Sequence, residues 1–224
     1  VETNVNETPS PLALWIPCAL WTAFWLIVLL VSGWRAYRPG IWVAKPLASA
    51  GFIAAALACG AAESAYGLAI LAALVLSFLG DVLLIPEGAG PPFLAGLASF
   101  LLGHVGFAVA FLVSGVSVPG AALTAVVLAA PIVLVLRWLG PHVPRDMKAP
   151  VWAYVAVISA MLIAAAGATL AGGTPGMLAG AALFYLSDLA VARDRFVSPG
   201  YRNGLVGLPL YYGAQLVLAA TVVP

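Results

Sequence analysis

Eight runs of about twenty apolar residues, each closed off by glycine, proline or charge, divide this chain from near its start to near its end. They cover residues 12–31, 42–60, 64–85, 92–114, 119–139, 150–171, 175–192 and 203–223. A helix rises about 1.5 Å per residue, so each run matches the roughly 30 Å hydrocarbon core of a bilayer. A soluble fold could not cover them. Of the residues, 64% are hydrophobic and 8% charged, against about 25% charged in soluble domains. The expected fold class is all-α, a polytopic integral membrane protein of eight transmembrane helices. Residues 12–224 are expected to form one transmembrane domain, after a short extracytoplasmic segment at 1–11. The first run exceeds a signal-peptide core and has no basic segment before it, so it reads as a span.

The breakers agree with this division. Gly33, Arg35, Arg38, Pro39 and Gly40 interrupt the chain after the first run, and Pro86, Gly88, Gly90, Pro91 and Pro92 separate the third from the fourth. Neither stretch suits a helix interior. Gly172, Gly173, Thr174 and Pro175 predict a turn, with Thr174 as N-cap and Pro175 at the first helical position.

Basic residues test the count, because Lys and Arg gather at cytoplasmic loops and span ends. With eight spans all nine fall at one face: Arg35, Arg38 and Lys45, then Arg137, Arg145 and Lys148, then Arg193, Arg195 and Arg202. Both termini are then expected outside. A net charge of +1 without a basic patch excludes nucleic acid as a partner. Cys18 and Cys59 lie within apolar runs and are expected to act as small hydrophobes. Oligomeric state stays open.

The chemistry concentrates on two carboxylates. An Asp deep in a span costs about 2.5–3.5 kcal/mol on insertion scales and faces a cavity or a partner. Asp81 precedes the end of its run by four residues, as does Asp188, which places each about 6 Å inside its span at a shared depth on the cytoplasmic side. Two such carboxyls in a pocket would drive each other's proton affinities apart, leaving one as acid and one as base. The alternative is separate caps or ion pairs, with Arg193 or Arg195 as partner to Asp188. Phe78-Leu79-Gly80-Asp81 and Tyr185-Leu186-Ser187-Asp188 also echo each other, each third in a set of four, consistent with a four-plus-four repeat.

Around them stand fewer polar groups. His104 shares its helix with a small-residue face of Gly96, Ser99, Gly103 and Gly106, suited to close packing. Having no second His or Cys nearby, it implies no metal site. Tyr211, Tyr212 and Gln215 interrupt the last span, and the Gln215 amide needs partners at that depth. Lys45 either snorkels to the surface or holds a lipid phosphate. Glu63 and Glu87 are expected to be solvated.

These residues fall into motifs. Ser77-Phe78-Leu79-Gly80-Asp81-Val82-Leu83-Leu84, followed by Phe93, Gly96, Phe100 and His104, forms one. Gly180 to Asp188, reading GAALFYLSD, then Arg195-Phe196, forms a second. With Lys45-Pro46-Leu47 and with Pro209, Tyr212 and Gln215, they run in order over about residues 42–218. The set resembles the YhhN-like family of membrane proteins, which includes the lysoplasmalogenases. The Gly- and Pro-rich stretch after the third span departs from that pattern, so contacts of that loop do not carry over.

The basic clusters put the active site toward the cytoplasm, with a bacterial inner membrane the expected location, and the resemblance implies an eight-helix fold. It implies hydrolysis of the vinyl ether bond of lysoplasmalogens, with ethanolamine or choline heads, to a fatty aldehyde and a glycerophosphodiester. Asp81 and Asp188 would be catalytic; Lys45, Ser77, His104, Tyr185, Ser187, Tyr212 and Gln215 would bind the lysophospholipid. No cofactor is implied. Two other readings suit paired membrane carboxylates: an intramembrane aspartyl protease and a proton-coupled small-molecule transporter.

Overall fold

The computed structural model describes residues 10–88 and 90–223. The expected N-terminal segment 1–11 lies outside these apart from Ser10 and Pro11. Each expected span is a helix: α1 Pro11–Trp34, α2 Arg38–Ala58, α3 Ala65–Leu83, α4 Pro91–Val113, α5 Val118–Leu139, α6 Lys148–Leu170, α7 Pro175–Ala192 and α8 Tyr201–Ala220. Short 3₁₀ turns at Ala61–Glu63 and Arg145–Met147 precede α3 and α6, and a π-helical turn, Arg193–Val197, extends α7.

Local chemistry accounts for the boundaries. Ser64 and Ser117 accept hydrogen bonds from the amides of Gly67 and Gly120, capping α3 and α5. Proline stands in the first turn of α2, α4, α5 and α7, where no amide bond is lost. Thr174 is the N-cap of α7, as its sequence predicts, though its side chain makes no capping bond. The helix limits depart from the expected ones by up to four residues, and two of these shifts bear on the site. The Pro39 turn lets α2 start at Arg38, and α3 ends at Leu83, so Asp81 stands in its last turn.

Seven of the helices are long and apolar enough to cross a membrane. α8 is 20 residues long but less apolar, because it carries Asn203, Tyr211, Tyr212 and Gln215. All four of those side chains are buried in protein, where they escape the cost of facing lipid. Large apolar side chains such as Leu20, Phe24, Val126 and Leu134 face outward instead. This is the inside-out pattern of an integral membrane protein.

Six helices close a ring: α2 packs on α3, α3 on α4, α4 on α6, α6 on α7, α7 on α8 and α8 back on α2. α1 lies outside against α2 and α8, and α5 lies outside against α6 with only Gly120 and Leu139 buried. Exchanging α1–α4 with α5–α8 maps the ring onto itself, so the echo around Asp81 and Asp188 has a counterpart in the packing. The two aspartate helices, α3 and α7, take opposite places.

Alternation of direction brings four connections to one end. There Arg38 pairs with Glu87 and donates to the Ile85 carbonyl, while Arg195 donates to the Gly88 carbonyl. Small residues set the close contact of α3 and α4: the Ser99 hydroxyl donates to the Leu76 carbonyl at 2.7 Å, and Gly103 and Gly106 lie on Ala73. His104, next along the chain, is carried round toward α6 and α7.

Candidate active site

Asp81 is buried and surrounded by donors. Its Oδ1 lies 3.3 Å from Lys45 Nζ. Its Oδ2 accepts from the Ser49 hydroxyl at 2.7 Å and from the Tyr211 hydroxyl at 2.6 Å. Lys45 and Ser49 are four residues apart on α2 and so share a face. Behind them the Tyr212 hydroxyl stands 3.2 Å from Ser49 Oγ and 3.3 Å from the Lys45 carbonyl, which accepts from it. A carboxylate facing one cation and two hydroxyl donors is matched as an anion.

Asp188 has a different set. The Tyr154 hydroxyl of α6 donates to its Oδ2 at 2.9 Å, and His104 Nε2 of α4 lies 3.3 Å from the same oxygen without an aligned hydrogen bond. The Nδ1 of His104 stands 2.7 Å from the Phe100 carbonyl, which can only accept. Nδ1 therefore carries a proton. A neutral His104 then turns a bare lone pair toward Asp188, so facing groups at 3.3 Å are complementary only when one proton belongs to the pair.

Both carboxylates line one cavity of about 680 Å³. It occupies the basic end of the ring, with walls that include Ile41, Leu84, Leu97, Phe100, Val155 and Ile158. Phe184 stands between the two sets, its ring 5.4 Å from Tyr211 and 4.4 Å from His104. Ser49, Tyr211 and His104 lie near the middle of α2, α8 and α4. The carboxylates thus sit deeper among their neighbours than their nearness to helix ends implies. The connection after α3 makes up the difference, Ile85, Pro86 and Glu87 lining the cavity above Asp81.

The other expected residues divide between the cavity and its backing. Lys45, Tyr185 and Ser187 line it. Lys45 sits against Asp81 rather than standing free for a phosphate. The Ser187 hydroxyl donates to the Gly207 carbonyl at 3.0 Å, tying α7 to α8, and Tyr185 Oη is 3.5 Å from Ser159 Oγ. His104 and Tyr212 support the carboxylates from behind. Ser77 donates to the Ala73 carbonyl of its own helix, and Gln215 is fully buried with no hydrogen-bond partner for its amide among the described residues; neither lines the cavity. Asp188 is not paired with Arg193 or Arg195, since Arg193 donates to Asn203 and Arg195 lies over the Phe93 ring. Nor do the carboxylates face each other as a dyad: every partner belongs to one of them.

Sequence reasoning left Ser49, Tyr154 and Tyr211 out of the site. Ser49 was findable by its helical spacing from Lys45, and Tyr154 as a hydroxyl within an apolar run. Among the described residues no group of three or more His, Cys, Asp or Glu is placed to hold a metal ion.

A ring of membrane helices holding a buried and a partly buried carboxylate, separately partnered, over one largely apolar cavity defines a polytopic membrane protein with an intramembrane candidate site. The profile of the YhhN family matches residues 40–222, and the chain belongs to that family. It is 32% identical over 162 residues to the lysoplasmalogenase TMEM86B of Sus scrofa, covering 72% of this chain and 66% of that protein. It is 38% identical over 147 residues to TMEM86B of Homo sapiens, covering 65% and 59%. With the lysoplasmalogenase TMEM86A of Bos taurus it shares 32% over 166 residues, covering 69% and 65%. The matches thus span just under two thirds of these relatives' lengths. No solved structure matches the chain.

Proposed function

We propose that this protein hydrolyses the vinyl ether bond of lysoplasmalogens, releasing a fatty aldehyde and a glycerophosphoethanolamine or glycerophosphocholine. The observation that carries the reading is the unequal partnering of the two carboxylates on one cavity. Asp81 faces three donors, Lys45, Ser49 and Tyr211, which suit an anion, whereas Asp188 faces His104 Nε2 across 3.3 Å, a spacing that one shared proton would make complementary. The relatives named above are lysoplasmalogenases.

Enol-ether hydrolysis uses such a division. The proton of the Asp188–His104 pair goes to the vinyl carbon distant from oxygen, whose π electrons form the new C–H bond. The resulting oxocarbenium ion lies beside the Asp81 anion. Water then adds to the carbon next to oxygen and returns a proton to the Asp188–His104 pair. The hemiacetal collapses to aldehyde and alcohol as its hydroxyl proton moves to the departing glycerol oxygen. Tyr154 orients Asp188, and Ser49 and Tyr211 orient Asp81.

An aspartyl protease would need its two carboxyls in contact over one proton. Their separate partner sets here favour the ether hydrolase. We place the basic end, and with it the mouth of the cavity, on the cytoplasmic side of a bacterial inner membrane. The test is aldehyde release from a lysoplasmenyl lipid by purified Asp81→Asn and Asp188→Asn, each stably folded. Both are expected to lose at least about a hundredfold in kcat; near-full activity in both would sink the proposal.

A further inference from the structure

The mouth of the cavity carries charge that the carboxylate chemistry does not use. Arg38, Glu87, Asp194 and Arg195 line it, above apolar walls and at the same end as the basic connections. Among the described residues the ion pairs are Arg38–Glu87, Lys45–Asp81 and His104–Asp188, which leaves Arg195 without a carboxylate partner. Its guanidinium is nevertheless held in place, 4.1 Å from the centre of the Phe93 ring and 3.4 Å from the Gly88 carbonyl. Arg38 is anchored on the same connection, through Glu87 and the Ile85 carbonyl. Ile85 and Gly88 are three residues apart, so about 10 Å of chain at most separates the two anchor points.

We infer that Arg38 and Arg195 form a clamp for the phosphodiester of a lysophospholipid head. Resting on the vinyl ether reading, this places the head at the mouth and the chain in the cavity. Register supports the assignment. Arg38 precedes Lys45, the partner of Asp81, by seven residues, and Arg195 follows Asp188 by seven. Each guanidinium root is thus about 10 Å along its helix from the carboxylate level, a separation that a glycerol unit and the reach of an Arg side chain can fill. Lys45 is turned inward to the buried Asp81 with its side chain 14% exposed, whereas Arg38, although paired with Glu87, stays 42% exposed at the mouth. Arginine presents a planar fork of donors that suits a phosphodiester, and one cation over an aromatic face stays oriented when the site is empty.

The clamp is tested by binding, which separates it from the chemistry. An uncleavable 1-O-alkyl lysophosphoethanolamine and the 1-O-alkylglycerol of equal chain length are titrated onto the purified protein in detergent. The wild type is expected to prefer the phosphorylated lipid by roughly tenfold or more. Arg195→Gln and the Arg38→Gln, Arg195→Gln pair are expected to erase that preference while binding the alkylglycerol as before. Arg137→Gln, an exposed basic change that lines neither cavity nor mouth, is expected to keep it. Soluble glycerophosphoethanolamine should displace the phosphorylated lipid, and inorganic phosphate at equal concentration should not. No preference in the wild type, a preference that survives in the double variant, or equal displacement by inorganic phosphate would overturn the clamp. Vinyl ether cleavage by the same preparations reports separately on the reaction.

Discussion

The pair of Asp188 and His104 behaves as one unit if a single proton serves both. His104→Gln and Asp188→Asn are each expected to lower kcat by about two to four orders of magnitude, and the double variant to lose little more than either alone. Losses that multiply in a double-mutant cycle would refute a shared proton. On the other carboxylate, Tyr211→Phe removes one charge-assisted bond to Asp81. That costs about 1.5–3 kcal/mol, or roughly ten- to a hundredfold in kcat. Lys45→Met leaves a buried anion unpaired. It should destabilise the protein by about 3–5 kcal/mol, and adding Asp81→Asn should restore most of the loss in thermal unfolding. Of the site itself, the two aspartates were legible because a carboxylate in an apolar run needs a reason. Ser49 and Tyr154 left weaker signals: a serine in a helix can satisfy itself on the preceding turn, as Ser77 and Ser159 do, and nothing local says which carboxylate a tyrosine hydroxyl will reach.

Helices here meet without help from water, so their fit rests on side-chain shape. Gly80, one residue before Asp81, lies under the Phe100 ring, and a Cβ there would stand about 2.6 Å from that ring. Gly80→Ala therefore displaces Phe100, which also packs on Tyr211 and Phe184. It is expected to cost about 1–3 kcal/mol and to lower activity with it. Gly213 on α8 has open space around an added Cβ. Gly213→Ala is expected to raise stability by up to about 1 kcal/mol, and paired melting curves in detergent would compare the two. The eight helices were readable from run length and breakers, because a bilayer demands continuous hydrogen-bonded segments of set length. Their exact ends were less so: α3 stops at Leu83 although Leu84 and Ile85 are as apolar as what precedes them.

In the assembled molecule each aspartate meets the second helix of its own quartet and the fourth helix of the other. Asp81 of α3 takes donors from α2 and α8; Asp188 of α7 faces groups from α6 and α4. The two quartets thus complete each other's sites, and neither half carries a whole one. The same alternation fixes the ends of the bundle. In a background with Cys18 and Cys59 replaced by Ala, Glu87→Cys is expected to react with a membrane-impermeant maleimide only after cell lysis, and Gly172→Cys in intact cells. The reverse labelling would invert the orientation given above, while equal labelling would break the eight-helix count.

The order of hydrophobic runs, breakers and basic clusters was enough to define an eight-helix membrane protein and to single out Asp81 and Asp188, because lipid imposes length and polarity rules on every segment separately. Which helices close the ring follows no such local rule. Lys45 turns to Asp81 rather than to the mouth, His104 reaches Asp188 across from α4, and Arg195 is left to the rim. The Lys45–Asp81 and His104–Asp188 partnerships join residues 36 and 84 positions apart, and Tyr211 reaches Asp81 across 130; side chains so distant are matched only when the whole bundle has packed.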